Sequence, residues 1–403
     1  MKSQSKKPKI IFFSRYPIEF EVIPFPGFRK LVDNLLSDYN LIYYSMGWSK
    51  GKNEKLRKGI NAKELPIKVD ISSSADKWLK TILYYLLLPF SILKIKNENP
   101  DAIICRENMS FVPLSLGVLK KPIMVEIGDW WPSMLLGSTR IGQKIANLIE
   151  NFEVRLWNKG NYITLVHNHA EEKVILEKGI SNQKVKIVTL PMFGDKYFPS
   201  SAQKERYELG FKKNDFVVAT HGIIHKSKGY DQVLSWWHDI VKEHHDWKLL
   251  FIGGTMGEGW FRKMIDDLGL KDSVIITGWV SDQSKLNKYL NCADCLLVTR
   301  RNTKDNFGTT PSGLTHSLMT GKPTITTGMP SIREIIQDKK NGYLFEPDNY
   351  NSFKKSLEEV YSNRKKSKKI GLAGLKRAKE YFDANKAAKD YRELIEKIIK
   401  NKG

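Results

Sequence analysis

The sequence predicts an α/β protein built from two doubly wound parallel sheets, and three observations predict it. Short, nearly continuous apolar runs alternate with amphipathic stretches along the 403 residues. Runs of that kind suit strands buried on both faces, which requires helices on both sides of a parallel sheet. The alternation occurs twice, before and after the Pro-, Gly- and Ser-rich stretch "LPMFGDKYFPSSAQKERYELG". The length also suits two or three domains at roughly 100–200 residues each.

Taken in order, "KIIFFS", "NLIYYSM", "DAIICR", "PIMVEI" and "YITLVH" are the strand candidates of the first half. "FVVATHG", "WKLLFIGG", "SVIITGWV", "CLLVTR", "KPTITTG" and "GYLFEP" are those of the second. Amphipathic segments at 28–37, 140–157, 229–243, 260–269 and 352–361 supply helices between them, and 369–400 reads as helical and lysine-rich. This gives a first domain over 1–195, a second over 206–380, and a C-terminal helix over 381–403 that could pack back on the first.

Composition narrows the class. An apolar fraction of 41% with 27% charged residues is that of a globular protein and excludes disorder, collagen and coiled coil as the main architecture. The net charge is +22, shared evenly between residues 1–200 and 201–403, so there is no basic tail. Such a surface suits nucleic acid, an anionic membrane or phosphorylated substrates, with a lysine-rich coding bias as the alternative. Three cysteines, Cys105, Cys292 and Cys295, fit a reducing compartment without structural disulfides. The C-x-x-C of Cys292 and Cys295 lacks a second ligand pair for zinc and reads as a helix end running into a strand. The N-terminal apolar run is too short for a signal peptide. The longest apolar run, 81–93, contains Pro89 and falls short of the ~20 residues a bilayer span needs. It reads as a core helix, or as an interfacial helix whose flanking Lys77, Lys80, Lys94 and Lys96 meet lipid phosphates.

Ligands of open parallel sheets bind outside the carboxyl ends of the strands. Two such domains facing a cleft would hold two substrates, which points to a transferase. Two strand ends carry suitable chemistry. In "ATHGIIHKSKGYDQVLSWW" a strand ends at His221–Gly222, and Lys228–Gly229 opens a helix. Glycine admits a ligand close to the backbone and lysine neutralises a phosphate, although an ordinary strand–helix turn reads the same way. In "RRNTKDNFGTTPSGLTHSLMTGKPTITTG" a strand ends in Arg300–Arg301, Lys304 follows, and Ser312–Gly313 starts a helix whose free N–H groups and dipole suit a diphosphate. Capping of a surface helix is the alternative there. Trp130 and Trp131 are stacking or core aromatics, His167 and His169 read as helix-start residues, and His244–His245 as solvated.

The ordered series "G…KGYD", "LLFIGG", "VIITGWVSDQSKLNKYLNCADCLLVTR" and "GKPTITTGMPSIREIIQDKKNGYLFEPDN" resembles the C-terminal half of the retaining GT-B glycosyltransferases of the large family four group, which includes lipopolysaccharide and capsule sugar transferases. "MVEIGDWWPSMLLG" resembles a first-domain segment of that family, and "ITLVHNHAEEKVILEKGISNQKVKIVTLPMFGDKYFP" resembles its strand–helix–strand lead into the interdomain linker. The resemblance implies two Rossmann-like domains and a metal-independent, retaining transfer from a nucleotide-diphosphate sugar, which is the donor substrate; no cofactor and no metal are expected. It places Lys228 at the diphosphate, Gly27 in a glycine loop bordering the cleft, and the backbone of Trp279–Val280 at the base. Asp129 falls near the donor sugar and acceptor, as the candidate catalytic residue, and Glu334 matches an acidic position after a G-x-P loop.

The donor-binding set is completed by Gly222, Arg300, Arg301, Lys304, Ser312, Gly313 and His316. The chain departs from the pattern at Ile223, where relatives carry arginine, and at the paired glutamates. One register puts Asp305 and Gly313 at those two places; the other, which keeps the helix length, puts Gly308 and His316 there. The expected acceptor is a hydroxyl of a glycan or lipid-linked cell-surface glycan. The expected location is cytoplasmic, with an anionic membrane surface as a candidate partner and no nucleic acid. The alternatives are a non-catalytic GT-B partner protein, suggested by the missing glutamates, and a nucleotide-sugar 2-epimerase.

Overall fold

The computed structural model describes residues 7–48, 52–69, 83, 86–106, 115–127, 140–254, 259–303 and 306–400. The chain forms two compact units, Met1–Met192 with Asp383–Gly403, and Phe193–Phe382.

The first unit is built on β1 (Lys9–Phe13), β2 (Asn40–Trp48), β3 (Asn61–Val69), β4 (Ala102–Cys105), β5 (Ile123–Glu126), β6 (Tyr162–Val166) and β7 (Val185–Ile187). Among the described residues these make one sheet in the order β3-β2-β1-β4-β5-β6-β7, with every pairing parallel. Both faces are buried, as the apolar runs require. Ile11, Phe13, Ile103 and Val125 point into one core, and Ile10, Phe12, Ile104 and Met124 into the other. The two edges of this sheet are β3, which carried no continuous apolar run and was not expected, and β7, which is the second strand of the strand–helix–strand that the resemblance implied. Among the described side chains of β3, Leu65 and Ile67 are the buried ones, and Pro66 sits between them, as an edge strand permits.

Helix Phe28–Leu36 packs on the second of these cores through Phe28, Leu31, Val32 and Leu35. The terminal helix Ala384–Lys400 joins it through Ala387, Tyr391, Ile395 and Ile398. The expected helical stretch 369–400 is therefore two helices, Arg364–Tyr381 in the second unit and Ala384–Lys400 in the first, broken at Phe382–Asp383.

A buried polar cluster sits at the carboxyl ends of β1, β4, β5 and β6. Arg106 donates to Glu126 at 2.6 Å and to Glu21 at 3.2 Å, and Ser14 donates to Glu21 at 2.8 Å. The Tyr391 hydroxyl donates to Glu126 at 2.9 Å, and His167 Nε2 lies 3.6 Å from the same carboxylate. Burial opposes the charge of Arg106, but Glu126 and Glu21 outweigh it and raise its pKa.

The run 81–93 lies partly outside the described residues, as do Lys77 and Lys80. Its described part begins helix Leu88–Glu98, with Pro89 in the first turn, where a missing N–H costs nothing. Leu88, Ser91 and Ile95 are buried, whereas Leu86, Phe90 and Leu93 are 64%, 62% and 59% exposed. The segment is thus a core helix on one side only. Among the described residues no helix is long and apolar enough to cross a membrane.

The second unit carries β8 (Phe216–His221), β9 (Trp247–Ile252), β10 (Val274–Ile276), β11 (Cys295–Val298), β12 (Thr324–Thr327) and β13 (Tyr343–Phe345), all parallel, in the order β10-β9-β8-β11-β12-β13. Residues 193–205 belong to this unit rather than to a free linker. Asn287 and Asn291 accept the backbone N–H groups of Phe198 and Ser200 at 3.1 and 3.0 Å, and Tyr197 is buried in the second unit's core. Cys105, Cys292 and Cys295 are buried and not joined in disulfides, and burial pushes the Cys292 thiol up to about 12, which suits a packing role.

Candidate functional site

Strand β8 is buried throughout from Phe216 to Thr220, and after the half-buried His221 the chain turns through Gly222. Gly222 has φ +104°, and its N–H donates to Ile252 O at 3.0 Å. The turn after β9 comes so close that a Cβ on Gly253 would stand 2.1 Å from Gly222 O. The two strand ends therefore meet backbone to backbone. A short 3-10 turn, Lys226–Lys228, brings the chain to Gly229 and helix Tyr230–Glu243. Thr299, just after β11, donates its hydroxyl to Lys228 O at 2.6 Å and so fixes the lysine's backbone against the next strand end.

The Lys228 side chain folds back over β8: a Cβ on Gly222 would lie 3.2 Å from Nζ. Burial, with Arg300 as a second cause, lowers the Lys228 pKa to about 7. The Arg300 backbone N–H donates to Thr327 Oγ1 at 3.1 Å, which ties the ends of β11 and β12 together. Arg301 is engaged differently, donating to Asp231 at 2.6 Å with Asp348 3.9 Å away.

Helix Ser312–Met319 starts beside the same strand end. Its N-cap is Pro311, which supplies no side-chain cap to the first amides. A Cβ on Gly313 would lie 3.6 Å from His221 Cε1. One turn on, His316 Nδ1 is 3.1 Å from His221 Nε2, and Tyr197 stacks on His316 with centroids 4.1 Å apart. Burial, then Lys228, lowers the His221 pKa to about 3, so this imidazole is neutral at neutral pH. The loop leading to the helix is held by Ser331, whose hydroxyl donates to Thr309 O at 2.8 Å and whose N–H donates to Phe307 O at 3.1 Å.

Gly222, Lys228, Arg300, Gly313 and His316 are thus brought to the ends of β8 and β11, with Ser312 at the adjoining helix start. This patch has a half-buried ammonium, a nearby guanidinium and a helix start that Pro311 leaves without a side-chain cap, a set suited to an anion. Trp279, 54% exposed, and the half-buried Val280 follow β10, at the same end of the sheet. The backbone carbonyl of Glu334 accepts from Arg377 at 2.9 Å. Gly27 lies in the first unit, where it precedes helix Phe28–Leu36 and its N–H donates to Pro191 O at 2.9 Å. Asp129, Trp130, Trp131, Lys304 and Asp305 lie outside the described residues. His221 and Tyr197 entered the sequence reading only as a strand end and part of a linker; the His-Gly at the end of an apolar run was the one available signal.

Residues 201–377 match the family of glycosyl transferases group 1. The chain is 22% identical over 249 residues to the Bacillus subtilis protein EpsD, and 28% identical over 140 residues to the alpha-monoglucosyldiacylglycerol synthase of Streptococcus pneumoniae. These alignments take in 60% and 35% of this chain. They span 63% and 30% of the relatives' own lengths, so the chain matches only part of each. Among solved structures, Anabaena HepE in complex with UDP-glucose superposes with a TM-score of 0.70 at 16% identity, covering 96% of this chain and 99% of that one.

Proposed function

Because the chain carries a glycosyl transferases group 1 domain on a GT-B framework, we propose that it is a metal-independent, retaining glycosyltransferase. The sugar passes from a nucleotide diphosphate to a hydroxyl of a lipid-linked cell-surface glycan at the cytoplasmic face of a membrane. The observation that carries this reading is the cationic patch of Lys228, Arg300 and the Ser312–Gly313 helix start, gathered at the carboxyl ends of β8 and β11. HepE's complex with UDP-glucose supports such a donor, and the name of the diacylglycerol-linked relative supports a lipid acceptor.

In this reaction the bond from C1 of the sugar to the diphosphate oxygen breaks and the acceptor oxygen bonds C1 on the same face. The acceptor's proton leaves with the diphosphate. Negative charge grows on the leaving group, so groups placed beforehand to receive it supply the largest share of the acceleration. Lys228, whose charge burial has weakened, regains its proton as the diphosphate arrives. Asp129 orients the acceptor or the sugar.

The test is a panel of UDP-, GDP- and dTDP-sugars. The correct donor, present at about 100 times its dissociation constant, should add about 2.7 kcal/mol of stability. Transfer should survive EDTA, and NMR of the product should show the donor's anomeric configuration. An inverted product, or activity that EDTA abolishes and Mg²⁺ or Mn²⁺ restores, would overturn the retaining, metal-independent mechanism.

A further inference from the structure

Two helices on one face of the first unit's sheet are apolar on both sides. Helix Leu88–Glu98 buries Leu88 and Ile95, and helix Arg140–Lys159 buries Val154 and Trp157, all in the same core. On their outer sides each bears a second stripe at helical spacing. One is Phe90 and Leu93, with Leu86 just before the helix; the other is Ile141, Ile145, Leu148 and Phe152, which are 74%, 46%, 71% and 60% exposed. An ordinary surface helix is polar there, and contiguous exposed apolar area marks an interaction surface.

The charges say what kind of partner fits. In helix Arg140–Lys159 both carboxylates, Glu150 and Glu153, lie on the buried side, and Glu150 accepts from Lys178 at 2.6 Å. The exposed charged residues of that helix are all basic: Arg140, Lys144, Arg155 and Lys159. At 3.6 residues per turn these fall on or beside the apolar stripe. On helix Leu88–Glu98 the exposed charges are Lys94 and Lys96, while Glu98 is held by Lys9 and Lys63. Apolar stripes bordered only by cations fit the headgroup–acyl boundary of an anionic bilayer. A second copy would bring the same cations to the same place, in a chain of net charge +22.

We infer that the outer faces of helices Leu88–Glu98 and Arg140–Lys159 dock the protein on an anionic lipid bilayer. The inference deepens the lipid-linked acceptor reading, since docking holds the enzyme where such an acceptor lies.

The experiment is co-sedimentation of the full chain with phosphatidylcholine vesicles, with and without phosphatidylglycerol, at low and high salt. Two double variants accompany it, Phe90→Ser with Phe152→Ser and Lys144→Gln with Arg155→Gln. All four positions are exposed, so each variant should melt like the wild type. The wild type should bind only with phosphatidylglycerol present, and less as salt rises. The basic pair should lose about fivefold per residue, and the serine pair should lose most of the binding. Wild type left in the supernatant at low salt, or variants that bind as the wild type does, would overturn docking. So would a wild-type dimer in sedimentation equilibrium that the serine pair dissolves. Transfer to a water-soluble acceptor reads the enzymatic proposal separately, and both variants should retain it.

Discussion

His221 Nε2 stands 3.1 Å from His316 Nδ1, with the rings stacked at 5.4 Å between centroids. The pair joins the end of β8 to the helix that starts at Ser312. The histidine pair therefore braces this helix start against the strand end.

That brace predicts acid sensitivity. The folded pKa of His221 is lowered from 6.5 to about 3, chiefly by burial. Between those values the unfolded chain binds a proton that the folded chain does not, so stability rises with pH through this window and is lost as pH falls. The slope from one such group reaches about 1.4 kcal/mol per pH unit. His167, lowered by burial against the opposing pull of Glu126, acts in the same direction. Urea midpoints measured across the window should fall less steeply for His221→Gln than for the wild type.

Lys228 should show opposite effects on stability and binding. Its folded pKa is lowered from 10.5 to about 7, so between these values folding releases a proton and stability grows as pH rises. Lys228→Met removes that burden and should raise the melting temperature at neutral pH. The same variant should bind UDP more weakly by about 1.5–3 kcal/mol, the scale of a charge-assisted contact. Calorimetry in buffers of different ionisation enthalpy should also show proton uptake when the wild type binds UDP, and none in the variant. Unchanged affinity in the folded variant would remove Lys228 from the site.

Gly253 has φ +152°, and an added Cβ would meet Gly222 O at 2.1 Å. No flexible side chain can give way there, because the opposing atom is backbone. Gly253→Ala should cost at least ~2 kcal/mol, the range of strained or overpacked sites. It should also weaken UDP binding by displacing Gly222. Gly210 has nothing within 4 Å of its added Cβ but has φ +80°. Gly210→Ala therefore separates backbone strain from collision, and should leave UDP binding unchanged.

Tyr391 reaches Glu126 across 265 residues of sequence to donate at 2.9 Å. Tyr391→Phe keeps the ring and removes one donor from a buried carboxylate that Arg106 still neutralises. The expected loss is about 1–3 kcal/mol. Glu126→Gln should cost more, because Arg106 then keeps only Glu21 as a full counter-charge. Thermal denaturation of the two variants should rank them in that order.

The sequence by itself determined the interior of both sheets. Every apolar run it offered as a strand is one: β1, β2, β4, β5 and β6 in the first unit and all six strands of the second. Strands buried on both faces must be apolar throughout, so that pattern is local and can be read without tertiary contacts. It also marked Gly222, Lys228, Arg300, Ser312 and Gly313, since a strand end followed by glycine, a cation or a helix start is again a local pattern.

Only the tertiary structure decided the rest. β3 is a strand because a neighbour offers it free backbone groups, not because its residues form an apolar run. Helical periodicity over 369–400 did not contain the break at Phe382–Asp383, which comes from each half packing on a different core. The meeting of Tyr197, His221 and His316 joins residues up to 119 positions apart in the sequence. The outer stripes of Leu88–Glu98 and Arg140–Lys159 became visible once the sheet had claimed the opposite sides of those helices. Periodicity records that a residue is apolar; which surface it meets depends on where the crossovers carry the chain.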